Sequence, residues 1–205
     1  MTLHCPGMRT LPLFLSVWAL ACSTWAGPLP VVAIQPLGPV KPADIQQVKA
    51  GIEALYAVTV EILPEKPLPK AAYYKPRDRY KADDIIDSLA NEMQEGIRKV
   101  IGFTARDIST TNDEGKDWGI FGLGALGGKA CVVSSFRLRA GKADEKLFQA
   151  RMVKVVNHEL GHTFGLDHCE VQGCLMEAAG GKISTVDAES GKPCAACSAR
   201  LPLAK

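Results

Sequence analysis

Histidine is scarce in this chain, four in 205 residues, yet three of the four crowd into one stretch. It reads His158-Glu159-Leu160-Gly161-His162-Thr163-Phe164-Gly165-Leu166-Asp167-His168. Residues four apart share one face of a helix, so His158 and His162 can chelate a single ion. Gly165 tolerates a backbone conformation that side chains disfavour, which lets the chain turn and bring His168 round as third ligand. Three imidazole nitrogens leave the fourth position of a tetrahedral zinc open to water. Zinc lowers the pKa of that water to about 7. Glu159, beside the first ligand, is placed to take the proton and hand it to a leaving amine. The predicted chemistry is peptide-bond hydrolysis through a zinc-bound water, with Glu159 as catalytic base and His158, His162 and His168 as ligands of a catalytic zinc.

The spacing of these histidines and Gly165 is the metzincin pattern, in which a methionine turn follows. Met176 is the candidate, as an apolar floor beneath the ligands. A second constellation begins directly after His168: Cys169-x4-Cys174-x-Met176-x17-Cys194-x2-Cys197. Fused to the histidine motif, it resembles the archaemetzincins, a family of zinc-dependent peptidases. Weaker echoes of that family are Pro36-Leu37-Gly38, the Tyr73-to-Tyr80 loop, Phe121-Gly122-Leu123 and Val133-Ser134-Ser135-Phe136-Arg137-Leu138. The resemblance implies that Cys169, Cys174, Cys194 and Cys197 bind a second, structural zinc, making two zinc ions per chain. A closed four-cysteine site does no hydrolysis but folds a segment whose core is poor. The resemblance also implies that residues 118–124 form an antiparallel edge strand above the cleft, where an extended peptide substrate can pair.

Around these motifs the chain alternates strand and helix patterns, which predicts one α/β (α+β) domain with a largely parallel sheet. Val31-Val32-Ala33-Ile34 reads as a first strand, and Asp44 as the N-cap of a helix carrying Ile45, Val48, Ile52 and Leu55. Strands are expected at 58–63, 99–103, 118–124 and 131–136, and a helix over 83–96. Four prolines in 64–81 predict an extended surface loop, and 110–117 a polar loop. The histidine motif ends a long helix over 144–164, with Leu147, Phe148, Met152, Val155, Val156, Leu160 and Phe164 as its apolar stripe. In full, the expectation is a metzincin-like zincin domain. It has a mixed twisted sheet of about five strands with one antiparallel edge, a long active-site helix and a zinc-organised C-terminal subdomain.

Composition narrows the partners. The chain is 47% hydrophobic and 22% charged with net charge +2, enough for one packed core and without the basic footprint of nucleic-acid binding. Residues 1–26 read as an export signal: an apolar run from Leu11 to Ala21, too short to span a bilayer, then small residues suited to cleavage before Gly27. A lipoprotein-like alternative cleaves before Cys22 and leaves it to carry a lipid anchor. The mature domain is then 27–205, a monomer without a transmembrane span, in the periplasm, secreted or held at the envelope. Export departs from the resembled family. In an oxidising compartment Cys169–Cys174 and Cys194–Cys197 disulfides are the alternative to zinc.

The bland readings stand beside these. Cys131 is expected as a small buried hydrophobe, and Arg137 and Arg139 as solvated charges or structural salt bridges. Tyr73, Tyr74 and Tyr80 are surface packing or, alternatively, cleft lining. The competing function is a zinc-stabilised peptide-binding scaffold with little turnover, against which the intact base Glu159 argues. A redox role for Cys194-x-x-Cys197 lacks the thioredoxin-like setting it would need.

Overall fold

Runs of apolar residues without polar alternation form the strands of the main sheet, because both of its faces are covered. The computed structural model describes residues 28–112 and 114–204. The export-signal reading of 1–26, Cys22 and the domain start at Gly27 lie outside them. Strands β1 (Val31–Pro36), β2 (Thr59–Ile62), β5 (Ile97–Thr104) and β9 (Ala130–Ser134) run parallel, and β8 (Gly122–Gly124) closes one edge antiparallel, in the order β2-β1-β5-β9-β8. The five-stranded sheet with one antiparallel edge is therefore as the resemblance implied.

Side chains leave this sheet alternately to two cores. Val32, Ile34 and Phe103 pack under helices α1 (Pro42–Leu55) and α3 (Glu145–Thr163), with Val48, Ile52, Met152 and Leu160 opposite. Ala33, Val100 and Val132 pack under α2 (Ala82–Asn91), against Ile85 and Leu89. Each fully buried aliphatic or phenyl side chain contributes roughly 1.5–3 kcal/mol. Helix α3 is pinned lengthwise as well as packed. Tyr56 at the end of α1 donates to the Asn157 carbonyl (2.6 Å) from full burial. Buried Arg151 grips Asp187 with two hydrogen bonds of 2.7 Å and donates to the carbonyls of Leu138 and Ala140.

Several expectations are corrected. Asp44 is not the N-cap: Lys41 is, with Pro42 opening α1 because its fixed φ already suits a helix, and Asp44 lies inside the first turn. The 64–81 segment is not all loop. It carries β3 (Tyr73–Tyr74) and β4 (Arg79–Lys81), which join β6 (Ile108–Thr111) and β7 (Asp117–Ile120) in a second sheet of order β3-β4-β6-β7. So the 118–124 strand is split at Phe121 between two sheets. Half-buried ion pairs hold the second sheet: Asp107 takes two bonds from Arg137, and Asp117 takes Arg79 and Lys81. Helix α2 stops at Asn91 rather than reaching 96, where Gly96 turns with φ of 86° into β5. Leu147 leaves the apolar stripe and is exposed, sitting in the first turn of α3, where Asp144 is the N-cap. Cys131 is wholly buried in β9, as expected of a packing thiol, and burial pushes its pKa up. Arg139 pairs with Glu145 and lies over the Phe148 ring.

Candidate active site and metal centres

The last turns of α3 carry His158, Glu159 and His162, and the way the helix ends delivers the third histidine. Phe164 caps it, the Gly165 N–H donates to the His162 carbonyl (2.8 Å), and the Leu166 N–H to the Gly161 carbonyl (3.2 Å). This paired closure is a Schellman motif, which needs a left-handed residue just past the cap. Gly165 supplies it with φ of 92°. The chain then doubles back, and His168 lies with its ring centroid 4.8 Å from that of His162 and 5.5 Å from that of His158. One ligand atom from each of the three rings lies within 4.8 Å of the others.

The protonation pattern fits a metal. The Nδ1 atoms of His158 and His162 each sit 2.7 Å from a backbone carbonyl, of Leu175 and Leu166. A carbonyl only accepts, so each Nδ1 must carry the proton and each Nε2 a lone pair. These two Nε2 atoms face one another at 3.0 Å. Two lone pairs so close repel unless a cation lies between them, and tetrahedral zinc holds such nitrogens about 3.3 Å apart. Burial, with His162 alongside, pushes His158 down to about 4, and burial lowers His162 too. Both rings are thereby neutral at pH 7, the state a ligand requires.

Glu159 is buried, and its pKa is pushed up to about 8 by that burial, opposed by the Gly124 backbone. It is pressed against the edge strand β8. A Cβ on Gly122 would lie 2.6 Å from Glu159 Cγ, and one on Gly124 2.5 Å from the Glu159 carbonyl oxygen. Only glycine allows the strand this close to α3. The alternation Gly122-x-Gly124 is a visible sequence signal for this approach. Above it opens a cleft of about 400 Å³, lined by the three histidines, Glu159, β8 and residues 175–189. Tyr73, Tyr74 and Tyr80 are not in its lining; Tyr73 and Tyr80 stack together in the second sheet at 5.3 Å.

The cysteines gather behind the histidines. Cys169, Cys174, Cys194 and Cys197 bring their sulfurs within 4.8 Å of one another, with Cys169 and Cys194 Sγ 3.8 Å apart. Tetrahedral Zn–S bonds set a spacing of about 3.8 Å, whereas a disulfide needs about 2.05 Å. The N–H groups of Cys194 (3.2 Å) and Met176 (3.5 Å) point at Cys174 Sγ, and the Cys197 N–H helps draw Cys194 down to about 7. Such donors suit thiolate ligands. Met176 links the two clusters. It is fully buried, its carbonyl takes the Cys169 N–H (2.8 Å), and its sulfur lies so close to Gly161 of α3 that an added Cβ would sit 2.6 Å away. Its neighbour Leu175 provides the carbonyl that orients His158. Backbone acceptors such as Leu166 and Leu175 leave no mark in a sequence.

Comparison with known proteins agrees with this geometry. The model of peptidase family M54 matches residues 43–202. An archaemetzincin of Haloquadratum walsbyi is 30% identical over 178 residues, covering 83% of this chain and 99% of the relative. One of Methanopyrus kandleri is 36% identical over 134 residues, covering 65% of this chain and 72% of the relative. The crystal structure of the archaemetzincin from Archaeoglobus fulgidus superposes with a TM-score of 0.71 at 28% identity, over 83% of this chain and 99% of that one. That of the Methanopyrus kandleri protein gives 0.72 at 28%, over 85% and 94%. With the family model matched across most of the chain, and a histidine triad beside a buried glutamate, this chain belongs to peptidase family M54, the zinc metallopeptidases that include the archaemetzincins.

Proposed function

We propose that His158, His162 and His168 hold the catalytic zinc, that Glu159 is the general base, and that Cys169, Cys174, Cys194 and Cys197 hold a second, structural zinc. The observation that carries the first assignment is the pair of facing Nε2 atoms, each ring fixed by a carbonyl on its far nitrogen. When bound, zinc supplies Lewis acidity, acidifying a water and polarising the scissile carbonyl. The chain does the rest. Glu159, one residue from the first ligand and held from behind by β8, takes the proton of the attacking water and returns it to the leaving nitrogen. Edge strand β8 offers its unpaired backbone side to an extended peptide. Gly165 turns the chain so that His168 reaches the centre, and Met176 supports the ligands from below.

Elemental analysis of the full chain tests the ion count, with two zinc ions per chain expected. A protein purified in zinc-replete, chelator-free buffer that holds no zinc overturns the assignment. Glu159→Gln should keep both ions and lower kcat on peptides about 10²–10⁴-fold. Unchanged turnover removes Glu159 from the mechanism.

The same proposal extends to the N-terminus: residues 1–26 direct export. The support is the apolar run from Leu11 to Ala21, followed by small residues suited to cleavage. The N-terminal residue of the mature chain is the test. A protein beginning at Gly27 or Cys22 supports export, and an intact Met1 refutes it.

A further inference from the structure

The cleft carries an aromatic residue that the zinc chemistry does not use. Trp118 lines it together with Ile120, Phe121 and the glycines of β8. Its side chain is 50% exposed, although its neighbours in 117–124 are half-buried. A single exposed apolar residue is ordinary on a protein surface. Three features set Trp118 apart. The first is that its place is fixed. Strand β7 pairs with β6, with Thr110 opposite Trp118, and the indole rests on the backbone of Gly181. A Cβ at residue 181 would meet Trp118 Nε1 at 3.3 Å and Cζ2 at 3.4 Å. An indole already supported on one side loses little freedom when a ligand covers the other.

The second feature is its position along the substrate track. Strand β8 ends the main sheet and β7 ends the second sheet. The 117–124 segment is therefore edge strand on both sides of the break at Phe121. A peptide paired to β8 beside Glu159 that continues toward β7 passes Trp118, four residues before Gly122 and at most about 13 Å away. The contact then falls three or four substrate residues from the scissile bond. The third feature is the apolar setting. A second cavity of about 310 Å³ shares Phe121 and Gly181 with the cleft and adds Phe136 and Ile183, the first residue of α4 (Ile183–Ala188). Phe136 is 59% exposed. Arg137, the charged residue in this lining, spends its guanidinium on Asp107 through bonds of 2.7 and 2.9 Å. Aromatic surface with no free charge beside it suits an aromatic or large apolar group. We propose that Trp118 is a specificity-determining residue whose indole, backed by Gly181, receives an aromatic or large apolar side chain of the substrate three or four residues from the scissile bond. This rests on the zinc-peptidase reading of the same cleft.

The test measures binding rather than turnover. Alanine peptides with a terminal hydroxamate, at the C-terminus in one series and the N-terminus in the other, anchor on the metal and extend to either side of it. One phenylalanine is moved along each series. Calorimetry on the zinc-loaded full chain should reveal a position, three or four residues from the hydroxamate, where phenylalanine binds on the order of tenfold tighter than alanine. Trp118→Ala should reduce that preference to about twofold or less, and Trp118→Phe should keep most of it. Acetohydroxamate, which reaches only the metal, should bind all three proteins alike. A phenylalanine preference at no such position overturns the proposal, as does one that survives Trp118→Ala. Should the alanine variant fail to fold, the unaltered protein still decides. There 4-bromophenylalanine at the favoured position should quench tryptophan emission by contact, more than at any other position, and equal quenching everywhere overturns the contact. If acetohydroxamate does not bind the unaltered protein, the metal-centre reading fails, and this one with it.

Discussion

The two clusters lie on neighbouring stretches of one chain yet are built on opposite principles. The histidine centre is made by packing. Two of its histidines stand on a helix that Tyr56, Arg151 and the apolar core shared with α1 hold in place, and the third arrives through a hydrogen-bonded helix ending. The cysteine cluster is made by loops. Between Gly165 and Leu201 the regular structure amounts to α4 and the short helix α5 (Ala195–Ser198), and few large apolar side chains are buried. Without the proposed metal, nothing comparable would hold it. On the proposed assignment the first centre can thus pre-exist its ion, whereas the second would gain much of its folding energy from one.

The harshest challenge to that contrast is to break the sulfur cluster. Cys174→Ser with Cys197→Ser should cost several kcal/mol and one metal ion per chain. Hydrogen exchange should lose protection over 166–201 while β5 and β9 keep theirs. Full protection across 166–201 would make the two regions alike. Hydrolysis should fall as well, because the Leu175 carbonyl that orients His158 belongs to this segment.

A smaller effect probes the packed side. Gly122→Ala drives a methyl group into Glu159, at 2.6 Å from Cγ and 2.7 Å from Oε1. We expect about 1–3 kcal/mol of destabilisation in urea titration and a fall in kcat/KM on the order of tenfold or more. Unaltered kinetics would show that β8 does not hold the base. Gly165→Ala separates strain from crowding, since nothing lies within 4 Å of its Cβ position and only φ of 92° opposes the change. About 1–2 kcal/mol is expected, with weaker retention of the catalytic ion in a chelator competition because His168 depends on that turn.

The mildest expected effect is a pH dependence of the brace between α3 and α4. Hydrogen bonds from Arg151 hold the Asp187 carboxyl below its ordinary 3.8. A depressed folded-state pKa stabilises above the unfolded value and is lost as pH falls through the folded one. Asp187→Asn should therefore narrow the stability difference between pH 7 and pH 3 in thermal melts. An unchanged difference would remove this ion pair from the account of how α3 is held.

Much of the molecule could be read without coordinates because its signals are local. A helix face places His158 and His162, and a glycine past a helix cap announces a reversal that carries His168. The strands of the main sheet are legible because burial on both faces makes them nearly continuous apolar runs. The second sheet is not. Its strands are short and rich in charge, and Arg79, Lys81 and Arg137 look like solvated surface until Asp107 and Asp117 are found against them. The same failure split the expected 118–124 strand, because the break at Phe121 reflects which neighbour each half meets, not a breaker in its own residues.

By itself the sequence determined the candidate ligand types, their order and the candidate base, since chemistry that depends on side-chain identity and helical spacing is written along the chain. Tertiary structure alone decided which carbonyls turn the two imidazoles and why Gly122 and Gly124 must lack side chains. The physical reason is range. Hydrogen bonds, close approaches and desolvation act over a few ångströms between residues far apart in the chain, and no local pattern encodes who those neighbours are.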